Sequence, residues 1–391
     1  MNRLVLSQIC KNEEHCILSC LNSGVKDIYD MIVYVDTGST DNTKSIILKW
    51  GEDNNIPAFV FDRPFDSFCN SRNYAMEMAK KMIDEKGWRR EDTWTGWIDC
   101  DETLIVDKSF DKQKLNMDLY MINTTINGMI YTRNTFIRAS KPGRFYGPVH
   151  EYIVCDEQNI SSGLMEGLLV DVKMIGSSWQ GDVSKKYLEH AYALEKYINY
   201  EDRNSRWVFY TAQSYHDSSN TPIKEDNEER LRRALKYYQE RVNTLIGYEE
   251  ERFYAQFRVA TVKIALEKPW DEIHQDLMKS SAMDPLRAEP IYAIIQHYIQ
   301  TAEWHLAYIY AKSAKSIYHG MNPYPNRLLF VDSSLYNWKL LDALVAAAAK
   351  TGRMDEAKEN FNEILRLLKI NPNWFSPEDT QKIQSNIKWF K

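Results

Sequence analysis

The chain has 391 residues, 44% apolar and 13% aromatic, with a formal net charge of −6 at pH 7; it is too long for one typical core and too apolar for a disordered chain, so two globular domains are expected. No apolar run approaches membrane-spanning length, and Met1-Asn2-Arg3 leads straight into a strand pattern rather than a signal peptide, which predicts a soluble, cytoplasmic protein. Residues 1–180 hold 20 basic and 26 acidic side chains against 29 of each in residues 181–391; the negative excess therefore falls in the first half, where it suits a metal site and does not advertise a nucleic-acid partner.

Strand and helix patterns alternate from residue 4 to residue 99, as in an open, mainly parallel sheet wound with helices. Leu4-Val5-Leu6 opens a strand, and Glu13 to Leu21 has the helical spacing of Ile17, Cys20 and Leu21. Met31 to Val35 is a continuous apolar run, expected of a strand covered on both faces. Asp41 to Trp50 reads as a helix, Ala58 to Phe61 as a strand, Asn70 to Glu85 as a longer helix and Trp94 to Ile98 as a fourth strand. Strand-like stretches follow at Leu119 to Asn123, Met129 to Arg138 and Tyr152 to Cys155. Six cysteines, Cys10, Cys16, Cys20, Cys69, Cys100 and Cys155, lack Cys-x-x-Cys spacing and read as free thiols in a reducing compartment.

Beyond Gly181 the pattern is helical: Ser184 to Tyr200, Ser205 to His216, Asn227 to Ile246, Glu249 to Leu266 and onward. Leu344, Gly352, Ala357 and Phe361 resemble a tetratricopeptide repeat, in which small residues let paired helices approach and large ones fill between them. Ala234, Ala307 and Ala357 are not evenly spaced, so the repeats are expected to be irregular. The expected domains are residues 1–180, an α/β catalytic domain, and residues 181–391, an all-α helical-repeat domain.

Asp99 and Asp101 follow the fourth strand. Period-2 geometry sends both carboxylates to one side and Cys100 to the other, an arrangement that can hold a divalent cation against a diphosphate; the bland alternative is a solvated turn. In Val35-Asp36-Thr37-Gly38-Ser39-Thr40-Asp41, Asp36 ends a strand and can accept hydrogen bonds from a base or ribose, while Gly38 bends the chain and Ser39, Thr40 or Asp41 caps the next helix. Arg72 and Asn73 lie near a helix start, where arginine can bind phosphate or form a structural ion pair. His150 can complete the coordination of a metal on Asp101, and Glu151 can accept a proton from an acceptor hydroxyl. Consecutive strand residues point to opposite faces, so both enter one cleft only where the backbone is irregular.

Ile9-Cys10-Lys11-Asn12-Glu13-Glu14, Val35 to Asp41, Ser71-Arg72-Asn73 and Ile98-Asp99-Cys100-Asp101 together resemble glycosyltransferase family 2 of the GT-A fold. Val149-His150-Glu151, Asp284 to Pro290 and Tyr336 to Asp342 resemble a subgroup with C-terminal tetratricopeptide-like repeats. The resemblance implies an inverting glycosyltransferase, hexosyl or pentosyl, that uses Mn2+ or Mg2+ and a nucleotide-diphosphate sugar, a UDP-sugar first. It implies Asp36, Arg72, Asn73 and Asp99 at the donor, and Asp101, Asp99 and His150 at the metal. Glu151 is the expected base, with Asp182 in reserve. Two alternatives remain, a sugar nucleotidyltransferase and a non-catalytic nucleotide-binding scaffold. The acceptor, a glycan, a protein or modified DNA, is expected on the helical half, where Arg203, Arg206, Arg232, Arg233 and Arg241 could form a basic face.

Overall fold

The computed structural model describes all residues except 127–128, 245, 323–328 and 391. Two compact units divide the chain, Met1–Ile126 with Tyr131–Glu201 and Asn127–Ile130 with Asp202–Lys391.

Among the described residues, the first part of the chain holds strands β1 (Arg3–Cys10), β2 (Met31–Asp36), β3 (Ala58–Asp62), β4 (Thr93–Gly96), β5 (Glu102–Val106), β6 (Leu119–Ile126), β7 (Met129–Arg138), β8 (Gly143–Tyr146), β9 (Tyr152–Cys155) and β10 (Ser162–Val172). The main sheet runs β3-β2-β1-β4-β7-β6-β10-β5, and β8 and β9 form a separate hairpin. Strands β3, β2, β1 and β4 are parallel, and β7 pairs antiparallel with β4. This is the α/β architecture that the sequence patterns predict. All six residues of β2 are buried, because helices cover both of its faces. Leu4, Leu6, Ile32 and Tyr34 pack into one core, while Val5, Met31 and Val33 pack on the other face with Ala79, Met82 and Ile83.

From β1 the chain moves outward to β2 and β3, then returns to the far side of β1 as β4. The strand order therefore reverses between β1 and β4, and the crevice beyond their carboxyl ends is where open sheets of this type take ligands.

The longer helices of this unit are α1 (Thr43–Asn54), α2 (Phe68–Glu85) and α3 (Val183–Tyr200). Ser67 caps α2 by accepting from the Asn70 amide at 3.1 Å. The helix expected over Glu13 to Leu21 shrinks to Ile17–Cys20 and runs into a π turn, Leu21–Val25. Gly24 lies so close to β5 that a Cβ there would stand 2.7 Å from the Leu104 carbonyl oxygen, and Ser23 leaves the helical region. The fourth strand also ends early, at Gly96. Asp99 and Asp101 are thus presented by the turn before β5 rather than by strand alternation. That turn is closed by Glu102, whose carboxylate accepts from the Asp99 amide at 2.8 Å and whose own amide donates to the Asp99 carbonyl at 3.0 Å.

The change of composition near residue 181 precedes the division between the units by one helix. Helix α3 is tied to the first unit, for example by the Tyr197 hydroxyl donating to that of Tyr146 at 3.0 Å.

The second unit is mainly helical, with one short strand, Val331–Asp332, paired antiparallel with Met129 and Ile130, and helices α4 (Ser205–Asp217), α5 (Lys224–Asn243), α6 (Glu249–Ala265), α7 (Trp270–Met283), α8 (Glu289–Gln300), α9 (Trp304–Tyr318), α10 (Leu340–Lys350), α11 (Met354–Ile370) and α12 (Pro377–Asn386). Successive helices from α4 to α11 pack on one another. Leu344, Ala357 and Phe361 are buried between α10 and α11, and Gly352 takes a φ of +78° in the turn that joins them. The expected basic face is not formed. Arg203 pairs with Glu240, Arg206 and Arg241 with Glu251, Arg232 with Glu228 and Arg233 with Glu229, so each of these cations is neutralised by a carboxylate. Among the described residues, no helix is long and apolar enough to cross a membrane.

Gly96 leads into the aspartate turn, and a Cβ there would stand 2.3 Å from the ring of Phe136, a fully buried residue. Gly96→Ala is expected to displace that ring and destabilise the protein by about 1–3 kcal/mol. Urea unfolding followed by tryptophan fluorescence measures it, and an unchanged midpoint would contradict the close packing.

Candidate active site

Two loops at the carboxyl ends of β1 and β2 hold each other in place. The Asn12 amide donates to Ser39 Oγ at 2.9 Å, and Asn12 Oδ1 accepts from the Thr40 amide at 2.8 Å. One residue on, the Glu13 amide donates to Thr43 Oγ1 at 2.8 Å, and Glu14 Oε2 accepts from the Asn42 amide at 2.9 Å. Asp36 is buried, and its Oδ1 accepts from the amides of Gly38 and Ser39 at 2.9 and 2.8 Å. Gly38 makes this bend with a φ of +112°, and Asp41 caps α1 through the Thr43 amide at 3.0 Å. The turn and capping reading of this motif therefore holds, and Asp36 still lies at the ligand end of the sheet.

Beside these loops stands a buried charge network. Arg72 Nη2 donates to Asp99 Oδ1 and Arg72 Nε to Glu151 Oε1, both at 2.7 Å. Arg133 makes a two-pronged pair with Glu102, Nη1 to Oε1 at 2.8 Å and Nη2 to Oε2. Both guanidinium groups lie over the Trp97 ring, Arg72 at 4.5 Å and Arg133 at 4.1 Å from its centre. Desolvation pushes the Asp99 carboxyl up, but Arg72 and Arg133 outweigh it and hold Asp99 below the usual carboxylate range. Asp101 moves the opposite way: burial raises it, and the neighbouring Asp99 charge raises it further. Two carboxylates one residue apart thus sit in opposite environments.

A strap of chain between β10 and α3 lies against Asp101. The Gly176 amide donates to Asp101 Oδ2 at 3.2 Å, the Ser177 amide to Glu13 Oε2 at 3.1 Å, and His15 Nε2 is 2.8 Å from the Ile175 carbonyl oxygen. A Cβ on Gly176 would stand 2.9 Å from the Asp101 carboxylate carbon, so only glycine allows this approach. At the end of the strap, Asp182 caps α3 by accepting from the Lys185 amide at 3.0 Å.

His150 and Glu151 lie in the turn between β8 and β9. Gly147 and His150 there have φ values of +118° and +54°, so strand alternation does not separate the two side chains. Glu151 reaches Arg72, while the His150 ring meets His190 of α3 edge-on at 6.0 Å. Asn73 clasps this hairpin: its Nδ2 donates to the Phe145 carbonyl at 3.0 Å and its Oδ1 accepts from the Phe145 amide at 2.7 Å. Asp99, Glu151 and Arg72 are therefore directly joined, with Asp101 at the next corner of the turn and Asp36 across the crevice at the end of β2.

Among the described residues, the set of three metal-type ligand atoms within 4.8 Å of one another is Glu13, His15 and Cys16, without Asp99, Asp101 or His150. Burial and the Glu13 charge raise the Cys16 thiol, which makes it a poor metal ligand. Asp101, an oxygen ligand held by one amide beside Asp99, has the chemistry that a hard dication requires.

Arg133, Glu102 and Lys186 belong to no motif recognisable in the sequence. Arg133 and Glu102 are 31 positions apart, and no spacing rule joins them. Lys186 lies in the first turn of α3, and its ammonium sits 4.0 Å over the Trp179 ring; the helical pattern that begins there disguised it as part of the repeats.

Residues 9–109 match the model of the family described as Glycosyl transferase family 2. The SPbeta prophage-derived glycosyltransferase SunS of Bacillus subtilis (strain 168) is 23% identical over 274 residues, covering 66% of this chain and 58% of the relative, and glycosyltransferase SunS of Bacillus phage SPbeta matches equally. The chain thus spans less than two thirds of the length of these curated relatives. Among solved structures, residues 1–349 of S. aureus TarS in complex with UDP-GlcNAc align at 15% identity and a TM-score of 0.34, covering 68% of this chain and 93% of that one. MamA aligns at 13% identity and a TM-score of 0.34, covering 51% and 98%.

Arg72→Met would leave Asp99 and Glu151 without their shared cation, at an expected cost of about 3–5 kcal/mol; chemical denaturation of the full chain checks it, and a loss below about 1 kcal/mol would contradict the network. His190 gives a pH signature. Burial, and then the Lys186 charge, lower it from 6.5 to about 4. Below pH 6.5 the unfolded chain takes up a proton that the folded chain refuses, so stability falls as pH drops from 6.5 to about 4 and this contribution then levels off. The full effect is on the order of 2–3 kcal/mol. His190→Phe is expected to flatten that slope, as measured by thermal melts across the window.

Proposed function

We propose that the protein, whose residues 9–109 match the model of Glycosyl transferase family 2, moves a sugar from a nucleotide-diphosphate donor, a UDP-sugar first, to an acceptor hydroxyl with inversion. The observation that carries this reading is the Arg72 bridge, which fixes Asp99 of the aspartate turn and Glu151 of the hairpin at the crevice between β1 and β4. A cation-ready corner and a carboxylate able to receive a proton thereby share one rigid clamp.

In this reading Asp36 keeps one oxygen on Gly38 and Ser39 and offers the other to an N–H of the nucleobase. Asp99 meets the ribose, and Asp101 is the residue that would hold Mn2+ or Mg2+; Asp99 and His150, which do not converge with it within 4.8 Å, would join it as ligands only on rearranging. The bound ion supplies neutralising charge to the diphosphate. Arg72 and Asn73 act as positioning residues: Arg72 sets the angle between Asp99 and Glu151, and Asn73 fixes the hairpin on which Glu151 stands. Glu151 takes the acceptor proton as the acceptor oxygen attacks the anomeric carbon; the bond from that carbon to the phosphate oxygen breaks, and its electron pair leaves with the diphosphate. Asp182 is the less favoured base, since its carboxylate caps α3 and stands exposed. The helical unit carries the acceptor. Pairing of its arginines with carboxylates favours a glycan or protein acceptor over modified DNA.

The test is turnover of a panel of UDP-sugars, read by mass spectrometry with Mn2+ and with EDTA. Asp101→Asn should abolish the metal-dependent turnover. Glu151→Gln should lower transfer by about 10²–10⁴-fold while UDP binding persists, and Asp182→Asn should stay within a few fold of wild type. A Glu151→Gln protein of full activity would remove Glu151 as the base, and turnover indifferent to EDTA would remove the metal.

A further inference from the structure

Helix α3 brings a further cation to the aspartate turn. The Gly176 amide sits on Asp101, and Trp179 closes a tight turn back onto the Gly176 carbonyl, its amide donating at 2.9 Å. The Lys186 ammonium lies 4.0 Å over the Trp179 ring. Gly176, Trp179 and Lys186 thus form a short chain of contacts from Asp101 to the first turn of α3. Consistent with that placement, Lys186 is the cation that pulls on the Asp101 carboxyl, and it acts on Asp99 as well. Other cations nearby have different tasks: Arg72 is committed to Asp99 and Glu151, and Arg133 to Glu102. A lysine in the first turn of a helix also works against the helix dipole. Helix stability does not call for a cation there, whereas an anion arriving at Asp101 does.

We propose that Lys186 is a donor-contact residue, its ammonium leaving the Trp179 ring to bind the diphosphate of the nucleotide donor beside Asp101. A flexible four-carbon stem permits that movement, and the aromatic ring holds the charge close until the anion arrives. One dication matches the two charges of the donor's diphosphate, and a third develops as the sugar departs; Lys186 supplies charge to meet it from the side of α3. The role rests on the sugar-nucleotide reading above and assigns to α3 a part in donor binding.

Binding of UDP to the full chain tests it, by calorimetry with Mn2+ and again with EDTA. Lys186→Met should weaken UDP binding about tenfold or more under both conditions, and Lys186→Arg should restore it to within about threefold. Lys186→Gln, which keeps a polar stem, guards against a folding defect and should behave like the Met variant. UDP affinity unchanged or tightened in Lys186→Met would overturn the proposal, a gain meaning that the ammonium blocks the site. Failure of the wild-type chain to bind UDP at all would sink the sugar-nucleotide reading itself, and with it the role of Lys186.

Discussion

The guanidinium of Arg72 is the interaction on which the chemistry of the first unit depends. It is buried, and it ties a carboxylate from the turn after β4 to one from the β8–β9 hairpin, two segments that no continuous hydrogen-bonded ladder joins. A buried ion pair of this kind adds little net stability compared with an apolar replacement; its value lies in fixing geometry. Trp97 beneath it serves two guanidinium groups at once, which explains how two cations and three carboxylates share so small a volume. Asp101 stands outside this neutralised cluster, and its surplus charge distinguishes it from Asp99.

The loops after β1 and β2 are similarly interdependent. Asn12, Glu13 and Glu14 satisfy hydroxyls and amides of Ser39, Thr40, Asn42 and Thr43, so neither loop keeps its shape without the other. Both motifs stand out in the sequence together because one structure needs both. The strap from β10 adds a third segment, with Gly176 and Ser177 laid across Asp101 and Glu13.

Much of this was legible in the residues. The strands β1 to β4 and helices α1 and α2 announce themselves through apolar period and caps, and Asp36, Arg72, Asp99 and Asp101 sit where strand ends meet turns. Other parts depend on contacts between distant positions. Arg133 finds Glu102 across the sheet, and β5 and β10 are recognisable only once paired with each other. The early end of β4 is invisible to propensity, because Trp97 and Ile98 favour strands while the turn that follows is closed by the Glu102 carboxylate on the Asp99 amide. For Ser71-Arg72-Asn73 the sequence left open a phosphate contact or an ion pair, and the structure contains the ion pair. Helix α3 has the same helical period as the repeats that follow, so nothing local reveals that it belongs to the first unit.

Cys10, Cys16, Cys20 and Cys100 are all buried, and burial lifts each of their thiols well above the ordinary range. At neutral pH essentially no thiolate is present to attack an electrophile or to begin an exchange reaction. These four sulfurs surround the strand ends that shape the crevice, yet they stay chemically silent while the sheet is closed. Alkylation by a maleimide at these positions would therefore time the opening of the first unit, with no probe introduced.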